Sequence, residues 1–109
     1  MRKLIVVTGG SQGIGRAIIE KFTASGFDAV TCSRHEEDLL AMKREMEQVN
    51  DGATVYVHAA DVSRKEQARS FADYVLSLGR SIDVLVNNAG YFVPGDISTE
   101  PDGNLESMI

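Results

Sequence analysis

Thr8-Gly9-Gly10-Ser11-Gln12-Gly13-Ile14-Gly15 is the stretch on which the reading of the fold turns. It follows the apolar run Leu4-Ile5-Val6-Val7 and precedes a segment with helical periodicity. A strand, a glycine-rich turn and a helix in that order make a phosphate-binding device. Glycines let the backbone turn sharply and approach a ligand closely, because no Cβ intervenes. The unpaired N–H groups of the helix's first turn face the ligand, and the helix dipole favours negative charge there. The stretch reads as an anion cradle.

Spacing narrows the anion. Glycines 9, 13 and 15 do not fit the common G-x-G-x-x-G dinucleotide fingerprint. The nearest Walker A register runs from Gly10 to Gly15 but continues into Arg16-Ala17, so the phosphate-binding lysine and the magnesium-binding hydroxyl are both missing. A phosphotransferase P-loop is thereby disfavoured, and the strand–turn–helix context points to a dinucleotide.

Outward from the turn, the sequence has 109 residues, enough for one domain at most. Its 43% hydrophobic content can support a core. A net charge of −5 and a pI near 4.9 argue against a nucleic-acid or polyanionic-membrane partner, which would call for a basic face. The single cysteine, Cys32, excludes an internal disulfide framework and suits a reducing cytosol. The apolar run after Met1-Arg2-Lys3 is too short for a signal peptide, and no segment reaches transmembrane length. A soluble, cytoplasmic protein is the expectation.

The first strand, Lys3 to Thr8, is apolar throughout, as befits a strand covered on both faces. The first helix is expected from about Ile14 to Ser25, with Ile14, Ile18 and Phe22 as its buried stripe and Gly26 as its cap. The second strand is Ala29 to Ser33. The second helix carries Leu39, Met42, Met46 and Val49 on one face and Glu36, Glu37 and Asp38 in its first turn; Asn50-Asp51-Gly52 ends it. The third strand is Thr54 to Ala60, and Ser63-Arg64-Lys65-Glu66 reads as a capping box. Behind it lies a helix with Ala68, Phe71, Ala72 and Val75 inward, stopping at Gly79. The fourth strand is Ile82 to Asn87, followed by a loop through Pro94, Gly95 and Pro101 and a start of helix over 102–109. This β-α alternation predicts an α/β fold: a doubly wound, Rossmann-type parallel sheet with helices on both faces and right-handed crossovers. The expected strand order is 3-2-1-4, with the ligand at the carboxyl ends between strands one and four.

Three motifs together resemble one family. The turn is similar to the Thr-Gly-x-x-x-Gly-x-Gly turn of the short-chain dehydrogenase/reductases. Asn87-Asn88-Ala89-Gly90 resembles their Asn-Asn-Ala-Gly element, and Asp61-Val62 their Asp-Val pair. Each follows a predicted strand, in the family's order, and the glycine spacing resembles the single-domain branch. The resemblance covers essentially the whole chain. It implies that Gly9, Ser11, Gln12, Gly13, Ile14 and Gly15 line ribose and pyrophosphate. It further implies that Asp61 and Val62 meet adenine and that Asn87, Ala89 and Gly90 run along the nicotinamide-side ribose. At the end of the second strand a carboxylate would select NAD, whereas an arginine accommodates the extra phosphate of NADP. Ser33-Arg34 stands there, with no acid before Glu36, so NADP(H) is favoured over NAD.

Structural roles are expected for the remaining candidates. Cys32 and His58 sit on predicted strands, Met42 and Met46 form a core stripe, and His35 lacks a partner at metal-ligand spacing, so no metal is indicated. The family's catalytic tyrosine and lysine stand four apart on one helix face, where the ammonium favours the phenolate. Here Tyr56 is followed at that spacing by Ala60, Tyr74 by Leu78 and Tyr91 by Gly95. No catalytic residue is therefore assigned. Residues 1–109 are expected to be the NADP-binding portion of a single-domain oxidoreductase, truncated after the fourth strand, with the catalytic half absent. The resemblance implies a carbonyl or secondary-alcohol substrate and a homo-oligomer for the complete enzyme. A non-catalytic nucleotide-binding or sensor module is the rival reading, against which Val84-Leu85-Val86 has the composition of a strand made to be covered.

Overall fold

The computed structural model describes residues 2–10 and 13–88. Within them, β1 (Lys3–Thr8), β2 (Phe27–Ser33), β3 (Val55–Ala59) and β4 (Val84–Val86) alternate with α1 (Gly13–Ala24), α2 (Glu36–Val49) and α3 (Lys65–Ser77). The four strands form one parallel sheet in the order β3-β2-β1-β4. The expected doubly wound topology is what the chain adopts. The expected loop and helix start beyond Gly90 lie outside the described residues.

The period of two along β1 sends alternate side chains to opposite faces. Leu4 and Val6 join Val30, Cys32, Leu85 and the α3 residues Ala68, Phe71, Ala72 and Val75 in one core. Ile5 and Val7 join Ala29, Val55, Ile19, Met42 and Met46 in the other, against α1 and α2. Both faces of β1 are thus dry, which is why its sequence shows no polar alternation. The expected inward faces of α3 and of the Met42–Met46 stripe are those observed.

Five local expectations are corrected. The buried row of α1 is Gly15, Ile19 and Thr23, one position on from the expected stripe; Ile18 and Phe22 flank it and Ile14 is 73% exposed. The cause is close packing at Gly15, where a Cβ would run into the Gly9 carbonyl oxygen. The helix docks on this small residue. Thr23 tolerates burial because its hydroxyl donates to the Ile19 carbonyl at 2.8 Å and accepts from Asn50 Nδ2 at 2.9 Å.

Val49, expected inward, is 73% exposed at the end of α2. The capping box does not form. Arg64 is the N-cap, without a side-chain cap bond, and the Ser63 hydroxyl donates instead to Asp61 Oδ1 at 2.5 Å. Finally, β2 begins two residues before the expected Ala29, and β4 is only Val84–Val86. Glycines 26, 52 and 79, each just beyond a helix, have positive φ, as helix stops should.

Candidate functional site

The carboxyl ends of β1 and β4 lie side by side where the strand order reverses, and the glycine turn leaves the sheet there. Gly9 has φ 67° and its N–H donates to the Cys32 carbonyl of β2 at 3.0 Å. Gly10 N–H donates to Thr31 Oγ1 at 2.9 Å. Gly13 opens α1 with φ 61° and nothing within 4 Å of where a Cβ would be, so its left-handed backbone and open side are both glycine's work. Gly15 is buried beneath the turn. Ser11 and Gln12 lie outside the described residues.

Just beyond β4, Asn87 Oδ1 accepts from the Thr8 hydroxyl at 3.3 Å, and Asn88 Nδ2 donates to the Gly9 carbonyl at 3.2 Å. A Cβ on Gly15 would also crowd that Asn88 amide nitrogen. The two motifs are therefore one device: the asparagines tie the end of β4 to the glycine turn across the switch point. Ala89 and Gly90 lie outside the described residues.

Ser33 and Arg34 stand at the end of β2, Ser33 half-buried and Arg34 exposed. Ser33 Oγ accepts from the His35 N–H at 3.3 Å. On the neighbouring β3 side, Asp61 Oδ1 accepts from both the N–H and the hydroxyl of Ser63. Its own N–H donates to Gln67 Oε1 at 2.6 Å. The Ser63 hydroxyl and then the Ser63 N–H hold the Asp61 carboxyl below its usual range, with Arg34 and Arg64 adding to the effect. Asp61 is thus both a loop-shaping carboxylate and an electrostatic neighbour of Arg34. Val62 is buried in the α3 core.

Sequence reasoning passed over Gly10, Thr31 and Asn88 as site residues. Gly10 carried a signal in retrospect, since two successive glycines in a turn mark two close approaches. Thr31 carried only its polarity inside a buried strand. Cys32 and His58 are packed as expected. Cys32 is 1% exposed and burial pushes its thiol up to about 11. His58 stacks on Tyr74 with ring centres 4.8 Å apart and meets Ser70 Oγ at 3.0 Å.

A family model described as short chain dehydrogenase matches residues 3–109. The chain belongs to this family. Among curated short-chain dehydrogenase relatives, the mouse (Mus musculus) L-fucose dehydrogenase is 36% identical over 98 residues, covering 90% of this chain and 34% of its own. The chain therefore spans about a third of that relative's length. L-sorbose reductase from Gluconobacter frateurii, solved with NADPH and L-sorbose, matches with a TM-score of 0.76 and 36% identity, over 82% of this chain and 34% of its own. An alcohol dehydrogenase from the archaeon Thermococcus sibiricus, complexed with 5-hydroxy-NADP, matches with a TM-score of 0.73 and 32% identity, over 78% and 36%. Among the described residues, no helix is long and apolar enough to cross a membrane.

Proposed function

We propose that the chain is the NADP(H)-binding portion of an oxidoreductase that transfers hydride between nicotinamide and a carbonyl or secondary alcohol. The observation that carries the choice of nucleotide is Ser33-Arg34 at the carboxyl end of β2, beside the strand that feeds the glycine turn, with no carboxylate before Glu36. The fit of a dinucleotide is supported by the turn itself. Gly9 and Gly13 have left-handed backbone, and the open side of Gly13 leaves room against the first turn of α1.

In this reading Gly9, Ser11, Gln12, Gly13, Ile14 and Gly15 hold pyrophosphate and ribose. Asp61 and Val62 border adenine, and Asn87, Ala89 and Gly90 follow the second ribose. The bound nicotinamide would supply the hydride to a carbonyl or take it from an alcohol. Arg34 offers a planar fork that matches phosphate bidentately. Asp61, close enough to feel Arg34's charge, keeps that region from being purely cationic.

Titration of NADPH and NADH against the parent and two variants tests the reading. Arg34→Ala should weaken NADPH by roughly ten- to a hundredfold and leave NADH nearly unchanged, since only the phosphate contact is lost. Adding Ser33→Asp should reverse the preference by repelling the phosphate and bonding the free hydroxyl. Equal affinities in the parent, or an Arg34→Ala loss shared by both nucleotides, would sink the assignment. With no Tyr-x-x-x-Lys in its 109 residues, the chain alone should bind without turnover. Carbonyl-dependent NADPH oxidation abolished by a substitution within it would refute that.

A further inference from the structure

Thr31 lies in β2 opposite Val7 of β1 and has no exposed surface. A hydroxyl buried within the sheet costs free energy unless its donor and acceptor are both used. Both are used, and both toward the glycine turn. Oγ1 donates to the Val7 carbonyl at 2.6 Å and accepts from the Gly10 N–H at 2.9 Å. One hydroxyl thus bridges the carbonyl of Val7, within β1, and the N–H of Gly10, in the turn.

The fit is tight as well as bonded. A Cβ on Gly10 would run into Thr31 Oγ1 and Ile19 Cδ1, so the backbone of the turn rests directly on the threonine and on the buried row of α1. Gly9, one residue earlier, is held from the same strand by the Cys32 carbonyl and from beyond the end of β4 by Asn88. The departure of the turn from the sheet is therefore fixed at consecutive residues. Of these holds, only that on Gly10 depends on a side chain of β2.

We infer that the Thr31 hydroxyl is a positioning residue of the anion cradle: through Gly10 it sets the path from which α1 begins, and so the aim of the first-turn amides at the pyrophosphate. This rests on the dinucleotide-binding reading above. It separates Thr31 from Arg34 in a measurable way. Arg34 acts on the phosphate that distinguishes the two nucleotides; Thr31 acts on the pyrophosphate that they share.

The test is titration of the 109-residue chain and its Thr31→Val and Thr31→Ser variants with NADPH, NADH and adenosine 2′-monophosphate. Loss of one buried hydroxyl that satisfies a backbone amide should make Thr31→Val about tenfold weaker for both dinucleotides alike. The monophosphate, which lacks the pyrophosphate, should bind as before, and Thr31→Ser, which keeps the hydroxyl, should restore the dinucleotides. A Thr31→Val variant that binds NADPH like the parent overturns the inference, as does one that loses the monophosphate in the same proportion, or a Thr31→Ser no better than Thr31→Val. Amide exchange gives a second readout that needs no variant: Gly10 must be protected in the parent, and exchange at the rate of an open loop overturns the inference too. If the parent binds neither dinucleotide, the dinucleotide reading itself falls, and this one with it.

Discussion

Asp28 joins two ion pairs at the end of the sheet opposite the site. It is 7% exposed, paired with Arg2 Nε at 2.9 Å and Arg80 Nη1 at 2.7 Å, and it accepts the Thr54 N–H at 2.9 Å. Burial alone would raise its pKa. The Thr54 N–H, Arg80 and Arg2 outweigh burial and hold it below the usual carboxylate value. Its contribution is therefore present above the unfolded-state value of about 3.9 and lost as pH falls through the lower folded one. Asp28→Asn should cost roughly 2–4 kcal/mol by leaving two guanidinium groups without their counter-charge. In thermal melts the gap between parent and variant should stay constant from neutral pH down to about 5 and close below about 4. A gap that persists in acid would mean that Asp28 stabilises by shape, not by charge. None of this was legible beforehand. Ala29 was the expected start of the strand, and Arg80 stands 52 residues further on.

At the scale of elements, hydrophobic patterning found every helix and strand among the described residues: the helices bury one face and show as a repeat, whereas β1 buries both and shows as an unbroken apolar run. It failed where a small or polar residue does the packing: Gly15 and Thr23 define the buried row of α1, and neither registers as apolar. The capping box failed for a related reason, since the Ser63 hydroxyl donates to the Asp61 carboxylate. Hidden as well was a clamp between α2 and β3, the edge strand. Glu47 Oε2 accepts the Val55 N–H at 2.8 Å, Lys43 Nζ donates to the Val55 carbonyl at 2.6 Å, and the two side chains pair at 2.9 Å. Burial would raise the Glu47 pKa, but the Val55 N–H and Lys43 bring it below its usual value. Side chains here do for an edge residue what a neighbouring strand would do. Glu47→Ala should cost about 1 kcal/mol, and Lys43→Ala, Glu47→Ala together less than the sum of the single losses, because they share one closed triangle. Denaturant midpoints at unchanged m-value check this, and strict additivity would deny the triangle.

Across the whole molecule the two ends of the sheet divide the labour. The amino ends are tied by ion pairs and by Asp83, whose carboxylate accepts the Leu4 N–H at 2.8 Å and whose own N–H donates to the Leu4 carbonyl at 2.9 Å. The carboxyl ends carry the glycine turn, Ser33-Arg34, Asp61 and the paired asparagines. The two long edges differ just as clearly. The β3 edge has its clamp, whereas among the described residues β4 pairs only with β1. The side chains of β4 are mostly covered, Leu85 at 3% and Val86 at 7% exposure, so its hazard lies in the backbone of the outer edge and not in an apolar patch. Such an edge is a template for another strand. The isolated 109-residue chain should therefore self-associate by strand pairing at β4, forming dimers or larger species that grow with concentration in sedimentation velocity. Amide exchange should slow in Val84–Val86 as they form, with β3 unchanged. A chain that stays monomeric across a wide concentration range, and melts in one cooperative transition, would show that the β4 edge is already satisfied within the molecule.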